Sequence, residues 1–195
     1  MIPRHLQIAL VVVLAGIFGI ASYMLRLKNK AAESAPRISL GSVAPPVSTP
    51  AEAVTFYIAY DDEGVLRPRP AMAALPLEPG ARARELLRAL LAQYLQKSSP
   101  HSLGDGSDVK EVFIVNHSLA VIDLNSAFAS GHRSGIWVEA LTVDSLVATL
   151  AANIPGITKV KILVNGEERE TLAGHADLIS LYDVAEVMQE AQALR

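Results

Sequence analysis

Residues Leu141–His175 read LTVDSLVATLAANIPGITKVKILVNGEERETLAGH, and this stretch spells out a helix, a strand, a tight turn and a return in consecutive order. Val143, Leu146, Val147, Leu150 and Ile154 follow the i, i+3, i+4, i+7 spacing that lines one side of a helix with apolar side chains. Pro155 and Gly156 end that helix, because proline lacks the N–H and the ring room to continue it. Lys159–Val164 then alternates charged and branched residues before an unbroken Ile-Leu-Val. Asn165-Gly166 supplies the two positive-φ positions of a type I′ hairpin turn. A returning strand over Glu167–Leu172 is therefore expected, closing a terminal hairpin.

Upstream, Val54–Tyr60 is an aromatic and β-branched run closed by Asp61-Asp62-Glu63-Gly64, with Val65-Leu66 before Pro68 and Pro70. It predicts a hairpin whose second strand is short and lies at an edge. Pro79-Gly80 opens a helix that turns Leu86, Leu87, Leu90, Leu91, Tyr94 and Leu95 inward. Val109–Val115 and Leu119–Leu124 read as a second hairpin around Asn116-His117-Ser118. Each helix has one apolar side to bury, so the order predicts an α+β fold: an antiparallel or mixed sheet with two helices packed on one face. Leu181, Val184, Val187, Met188 and Ala191 carry near-helical spacing. Residues 178–195 are accordingly expected to form a C-terminal helix or tail packing on the domain or on a partner.

The 195 residues are 51% hydrophobic with a mean hydropathy of +0.31, and the N-terminus explains the excess. Ile8–Leu25 holds no formal charge and as a helix would be about 27 Å long, close to the hydrocarbon thickness of a bilayer. Residues 1–30 are thus expected to be a transmembrane anchor, retained because no A-x-A cleavage pattern follows directly. Residues 31–53, with Pro36, Pro45, Pro46 and Pro50, read as a linker reaching roughly 70 Å in extended polyproline geometry. The folded domain is expected over residues 54–177. The chain has no cysteine, which rules out an acylated-Cys anchor, disulfides and thiol catalysis. A net charge of −3 leaves no basic footprint for nucleic acid.

A family resemblance runs across these elements. Ser145–Leu150, Val160–Gly166 and Leu172-Ala173-Gly174-His175 resemble, in that order, the motifs of the GerMN domain, found in sporulation and germination proteins and in bacterial envelope lipoproteins. Val54–Ile58 with Leu66-Arg67-Pro68-Arg69, and Val121–Phe128, resemble its opening strand pair and its "vDLSxxF" segment. The resemblance implies a fold similar to the ring-building motif of envelope machines. It also implies a non-catalytic role in envelope assembly or regulation through protein contacts. A second implied role is a binding module for peptidoglycan or a murein amidase. The flanking charges, Arg4 before the apolar run and Arg26, Lys28 and Lys30 after it, would by the positive-inside rule place the domain in the cytoplasm. The resemblance implies the opposite side of the cytoplasmic membrane, which is the expectation adopted.

No motif for cofactor, metal or catalysis stands out. His5, His101, His117, His132 and His175 are not paired at zinc-ligand spacing. No G-x-S-x-G elbow or phosphate-binding glycine loop occurs, and Ser107, Asp123 and His175 could be drawn as a triad only by choice. Interaction or structural roles fall instead on a short set of residues. Gly174 permits close backbone approach, so that His175 can bond a loop carbonyl with Asp177 orienting it. Asp123 and Asn125 suit turn or cap chemistry. Trp137 is read as plugging a core edge, or as a contact surface if exposed. Arg82, Arg84 and Arg88 are read as a solvated stripe rather than a site for peptidoglycan or acidic lipid.

Overall fold

The computed structural model describes residues 50–193; the expected anchor Ile8–Leu25 and most of the linker lie outside them. The elements are β1 Glu52–Tyr60, β2 Val65–Ala73, α1 Pro79–Tyr94, β3 Val109–Val115, β4 Leu119–Leu124, α2 Ser126–Ser130, α3 Ile136–Asn153, β5 Lys159–Val164, β6 Tyr182–Asp183 and α4 Val184–Ala193. The fold is mixed α+β, but its strands form two sheets rather than one. β1 and β2 make a two-stranded antiparallel sheet, and β3-β4-β5-β6 make a four-stranded one. In the larger sheet β3–β4 and β5–β6 are antiparallel and β4–β5 is parallel. That parallel pair follows from the helical crossover through α3, which returns the chain to the same sheet edge in the same direction.

The division into two sheets has a local cause. The edge of β1 turned away from β2 is bonded to helix side chains, so no further strand can pair there. Tyr57 N–H donates to Thr149 Oγ1 at 2.9 Å and Thr55 N–H to Asn153 Oδ1 at 2.9 Å. Asn153 Nδ2 returns a bond to the Thr55 carbonyl at 2.8 Å, and Ser145 Oγ donates to the Tyr57 carbonyl at 2.6 Å. Ala59 N–H is taken by the Tyr94 hydroxyl of α1 at 2.9 Å. Four residues of helix advance about 6 Å and two of strand about 6.6 Å, so the step from Thr149 to Asn153 matches the step from Tyr57 to Thr55, with Ser145 taking the carbonyl of Tyr57.

β2 runs all nine residues through Pro68 and Pro70 instead of stopping at them. Pro68 lies opposite Tyr57 and Pro70 opposite Thr55, the two β1 residues whose N–H groups point to α3. These are positions where the ladder asks nothing of the β2 N–H, so proline costs no bond. Tyr94, Phe128, Ile58, Leu90, Ile122 and Leu141 lie in one core with Val160 and Ile162. α3 is apolar and long enough to cross a bilayer, yet Ser145 and Thr149 are fully buried against β1, which marks it as the core helix of this domain.

The terminal hairpin is not formed. Asn165 and Gly166 take the expected positive φ values of 56° and 78°, but residues 167–172 make only isolated bridges, Val164 with Glu167 and Thr171 with Asp177. The partner of β5 is β6, which begins only after residues 165–181, through Lys159 with Asp183 and Val160 with Tyr182. α4 contributes Val187 and Ala191 to the core beyond Asp177. Replacing Thr149 by Val keeps the shape but leaves the buried Tyr57 N–H unpaired. Denaturant unfolding of the full chain in detergent should then show a loss of about 1–3 kcal/mol, and wild-type stability would refute the edge-bonding account.

Candidate functional site

The first two turns of α3 gather the polar residues of the domain. Glu139 is fully buried. Its Oε2 accepts from the backbone N–H of Ala173 at 2.9 Å, His175 at 2.9 Å and Ala176 at 3.0 Å. Its Oε1 accepts from Gly135 N–H at 3.1 Å and lies 2.9 Å from His175 Nδ1. Burial alone would raise this carboxyl, but the His175 ring and the backbone N–H groups of Ala176, Gly135 and Ala173 outweigh it and hold it well below the ordinary glutamate range. Gly174 sits at φ +123°, a conformation that an L side chain rarely adopts. It lets the loop curl so that N–H groups on both sides of it converge on one carboxylate.

This clamp replaces the roles read from sequence. His175 bonds a carboxylate rather than a loop carbonyl, and there is no terminal hairpin for it to lock. Asp177 does not orient it; Asp177 Oδ1 accepts from Ile179 N–H at 2.7 Å and turns the chain toward β6. Trp137 does not plug the core: it is 66% exposed, and Ile136 beside it 67%.

One turn along α3, a second cluster joins three loops. Thr142 Oγ1 lies 2.8 Å from His101 Nε2, 2.7 Å from His132 Nε2 and 2.8 Å from the Val138 carbonyl. His101 Nδ1 is 2.6 Å from Asp61 Oδ1, and Arg133 reaches Asp61 Oδ2 at 2.7 Å. His132 Nδ1 is 2.8 Å from the Arg133 carbonyl. Neither a carboxylate nor a carbonyl can donate, so both rings carry a proton on Nδ1. The hydroxyl then has one proton for two Nε2 lone pairs and a carbonyl. One additional proton shared by the two rings would satisfy both imidazoles: the charged ring donates to Thr142, whose own proton then goes to the other ring instead of to the Val138 carbonyl. Burial pushes both imidazoles below their ordinary value, against the pull of Asp61 on His101 and of the Arg133 carbonyl on His132. The two loops that carry these rings touch backbone to backbone, since a Cβ on Gly104 would lie 2.6 Å from the Gly131 carbonyl oxygen.

The remaining sequence candidates stand apart from both clusters. Asp123 Oδ1 accepts from Gly166 N–H at 2.7 Å, tying β4 to the turn after β5. Asn125 caps α2, accepting from Phe128 N–H at 2.9 Å and Asp108 N–H at 3.1 Å. Arg82 pairs with Glu52, Arg84 with Glu111 at 2.9 Å, and Arg88 with Asp108 at 3.0 Å. The basic stripe of α1 is thus a set of struts to β1, β3 and the segment before β3. Ser107, Asp123 and His175 are not brought together by any hydrogen bond; Ser107 Oγ donates to the Gly104 carbonyl. Among the described residues no group of three His, Cys, Asp or Glu side chains suits a metal ion.

Comparison with known proteins places this architecture. The pattern that defines the family described as "Germane: Sporulation and spore germination" matches residues 55–170, more than half of the chain. The chain belongs to this family of GerMN domains. The tandem GerMN domains of the Bacillus subtilis sporulation protein GerM superpose with a TM-score of 0.51 at 21% identity, covering 67% of this chain and 45% of that one. The first GerMN domain of the same protein gives a TM-score of 0.48 at 21% identity over 66% of this chain and 94% of that one. A candidate lipoprotein of Clostridium perfringens gives 0.46 at 21% identity over 73% and 93%. No curated protein matches the sequence.

Two measurements test the clusters. In Glu139→Gln an amide replaces part of an all-acceptor site, and stability should fall by about 2–4 kcal/mol. A carboxyl held low in the folded state stabilises above the ordinary glutamate pKa of about 4.3 and loses that contribution as pH falls further. The wild type should therefore weaken on acidification below about pH 4, and the variant should show a flatter acid limb; parallel limbs would refute the clamp. For the second cluster, ¹⁵N spectra should show both His101 and His132 protonated on Nδ1. An Nε2–H tautomer at either ring would overturn the proton count.

Proposed function

We propose that this chain is a membrane-anchored, non-catalytic GerMN protein that acts in cell-envelope assembly or regulation by binding another protein. The observation that carries the reading is the exposure of Ile136 and Trp137 on the first turn of α3. They stand beside a loop fixed by the buried Glu139 carboxylate. A large aromatic side chain held out on a rigid element is the usual anchor of a protein contact. The polar groups nearest to it are consumed by structure, Glu139 by backbone N–H donors and Thr142 by two imidazoles, which leaves no activated nucleophile there. Family membership and the uncharged run Ile8–Leu25 support an anchored envelope protein, with residues 31–53 as tether and the domain outside the cytoplasm.

A photo-crosslinking residue at position 137 of the full chain in its native membrane tests the contact. A discrete adduct that depends on position 137, and is absent with the probe at Arg169, is expected; no adduct, or the same adducts from both positions, would refute it. Reporter fusions at Arg195 test the orientation: alkaline phosphatase should be active, and activity only from a cytoplasm-dependent reporter would reverse the topology.

A further inference from the structure

A cleft of about 430 Å³ opens at the C-terminal end of α1, and neither Ile136 nor Trp137 lines it. Its floor is Ile58 and Tyr94, both buried, and its walls include Arg69, Gln93, Gln96 and Ser98. Arg69 is exposed and, among the described residues, its side chain bonds the hydroxyl of Tyr60 alone, at 3.2 Å. Arg67, Arg82, Arg84, Arg88 and Arg133 each meet a carboxylate; Arg169 bonds the Thr171 carbonyl instead, and no acidic residue lines the cleft at Arg69. Gln93, in the last turn of α1, and Gln96, just past its C-terminus, leave their side-chain amides with donors and acceptors to offer.

This combination selects a ligand class. An unneutralised guanidinium facing a cleft without acids favours an anion, and its planar fork suits a carboxylate. Two amides and a hydroxyl at the wall match a body rich in hydroxyl and amide groups rather than an apolar one. The volume lies in the lower part of the range for small-ligand sites, room for one or two sugar rings. An extended peptide is disfavoured, because the strand that supplies Arg69 carries proline on both sides of it, at 68 and 70, and cannot add a peptide strand through those positions. We infer that the cleft binds a carboxylate-bearing, N-acetylated saccharide, with the carboxylate on Arg69 and the hydroxyl and acetamido groups on Gln93, Gln96 and Ser98. The inference goes beyond the protein-contact reading and does not depend on it.

Titration of the full chain in detergent, followed by the side-chain amide NMR signals of Gln93 and Gln96, tests this with N-acetylmuramic acid as the probe. N-acetylglucosamine supplies the neutral ring and acetate the bare anion. Saturable shifts with N-acetylmuramic acid, at least tenfold tighter than with either comparison compound, are expected. Arg69→Gln should bring the acid sugar down to the affinity of the neutral one, and Gln93→Ala should weaken both sugars while leaving the backbone spectrum unchanged. Equal affinity for N-acetylmuramic acid and N-acetylglucosamine, equal affinity for acetate, an unchanged titration in Arg69→Gln, or no saturation would each overturn the proposal. No protein partner is present in the titration, so its failure leaves the reading built on Trp137 standing.

Discussion

The hydrogen bonds between the polar stripe of α3 and the open edge of β1 are the constraint from which the rest of the structure follows. A strand edge buried in a core has to find partners for its N–H and C=O groups, because an unpaired one costs about as much as a good side-chain contact contributes. Here Ser145, Thr149 and Asn153 supply them from a helix. Because the helix occupies that edge, β1 and β2 remain a sheet of two, and β3 to β6 assemble elsewhere around the same core. The α3 register set by these bonds also fixes where its first two turns fall, and those turns carry Glu139 and Thr142.

The two polar clusters solve one problem in different ways. Both bring loops onto α3, but Glu139 does so as a pure acceptor surrounded by donors, whereas Thr142 is a single hydroxyl between groups that all carry lone pairs toward it. The first arrangement is complete in one protonation state. The second gives both imidazoles a partner only when an extra proton resides on the histidine pair, and then the hydroxyl gives up its bond to the Val138 carbonyl. Stability in this end of the domain therefore rests on a carboxylate that must stay charged and on two imidazoles whose bonding depends on proton supply.

Much of the fold was legible because its signals are local. The apolar spacing of α3, the Asn165-Gly166 turn, the hairpin around Asn116-His117-Ser118 and the opening of α1 at Pro79 each need only a few neighbouring residues. The return strand expected over Glu167–Leu172 is replaced by non-local partners: β5 pairs with β6 instead, and the segment that follows Leu172 is held by Glu139, more than thirty residues earlier, through the N–H groups of Ala173, His175 and Ala176. The buried cluster of Asp61, His101, His132 and Thr142 was hidden likewise, since its members come from three loops and a helix. One signal was available and went unused. Thr142, Ser145, Thr149 and Asn153 form a polar line of spacing three, four and four along a helix whose other residues, Glu139 and Asp144 apart, are apolar, and such a line must face something polar in the core. The prolines of β2 misled for the complementary reason, because the cost of a missing N–H depends on which way that position faces.

The backbone contact between Gly104 and Gly131 has an evolutionary consequence. A Cβ on Gly104 would lie 2.6 Å from the Gly131 carbonyl oxygen, and one on Gly131 would lie 2.9 Å from the Ala127 carbonyl oxygen and 3.3 Å from Gly104 Cα, so replacing either one adds a methyl group or more where backbone already stands. A second substitution across the contact cannot compensate, because nothing smaller than glycine exists to make way. Drift at these two positions is thus closed in both directions at once. Sequences that keep His101 and His132 over a common hydroxyl should carry glycine at both places, while the loops around them vary in length and charge.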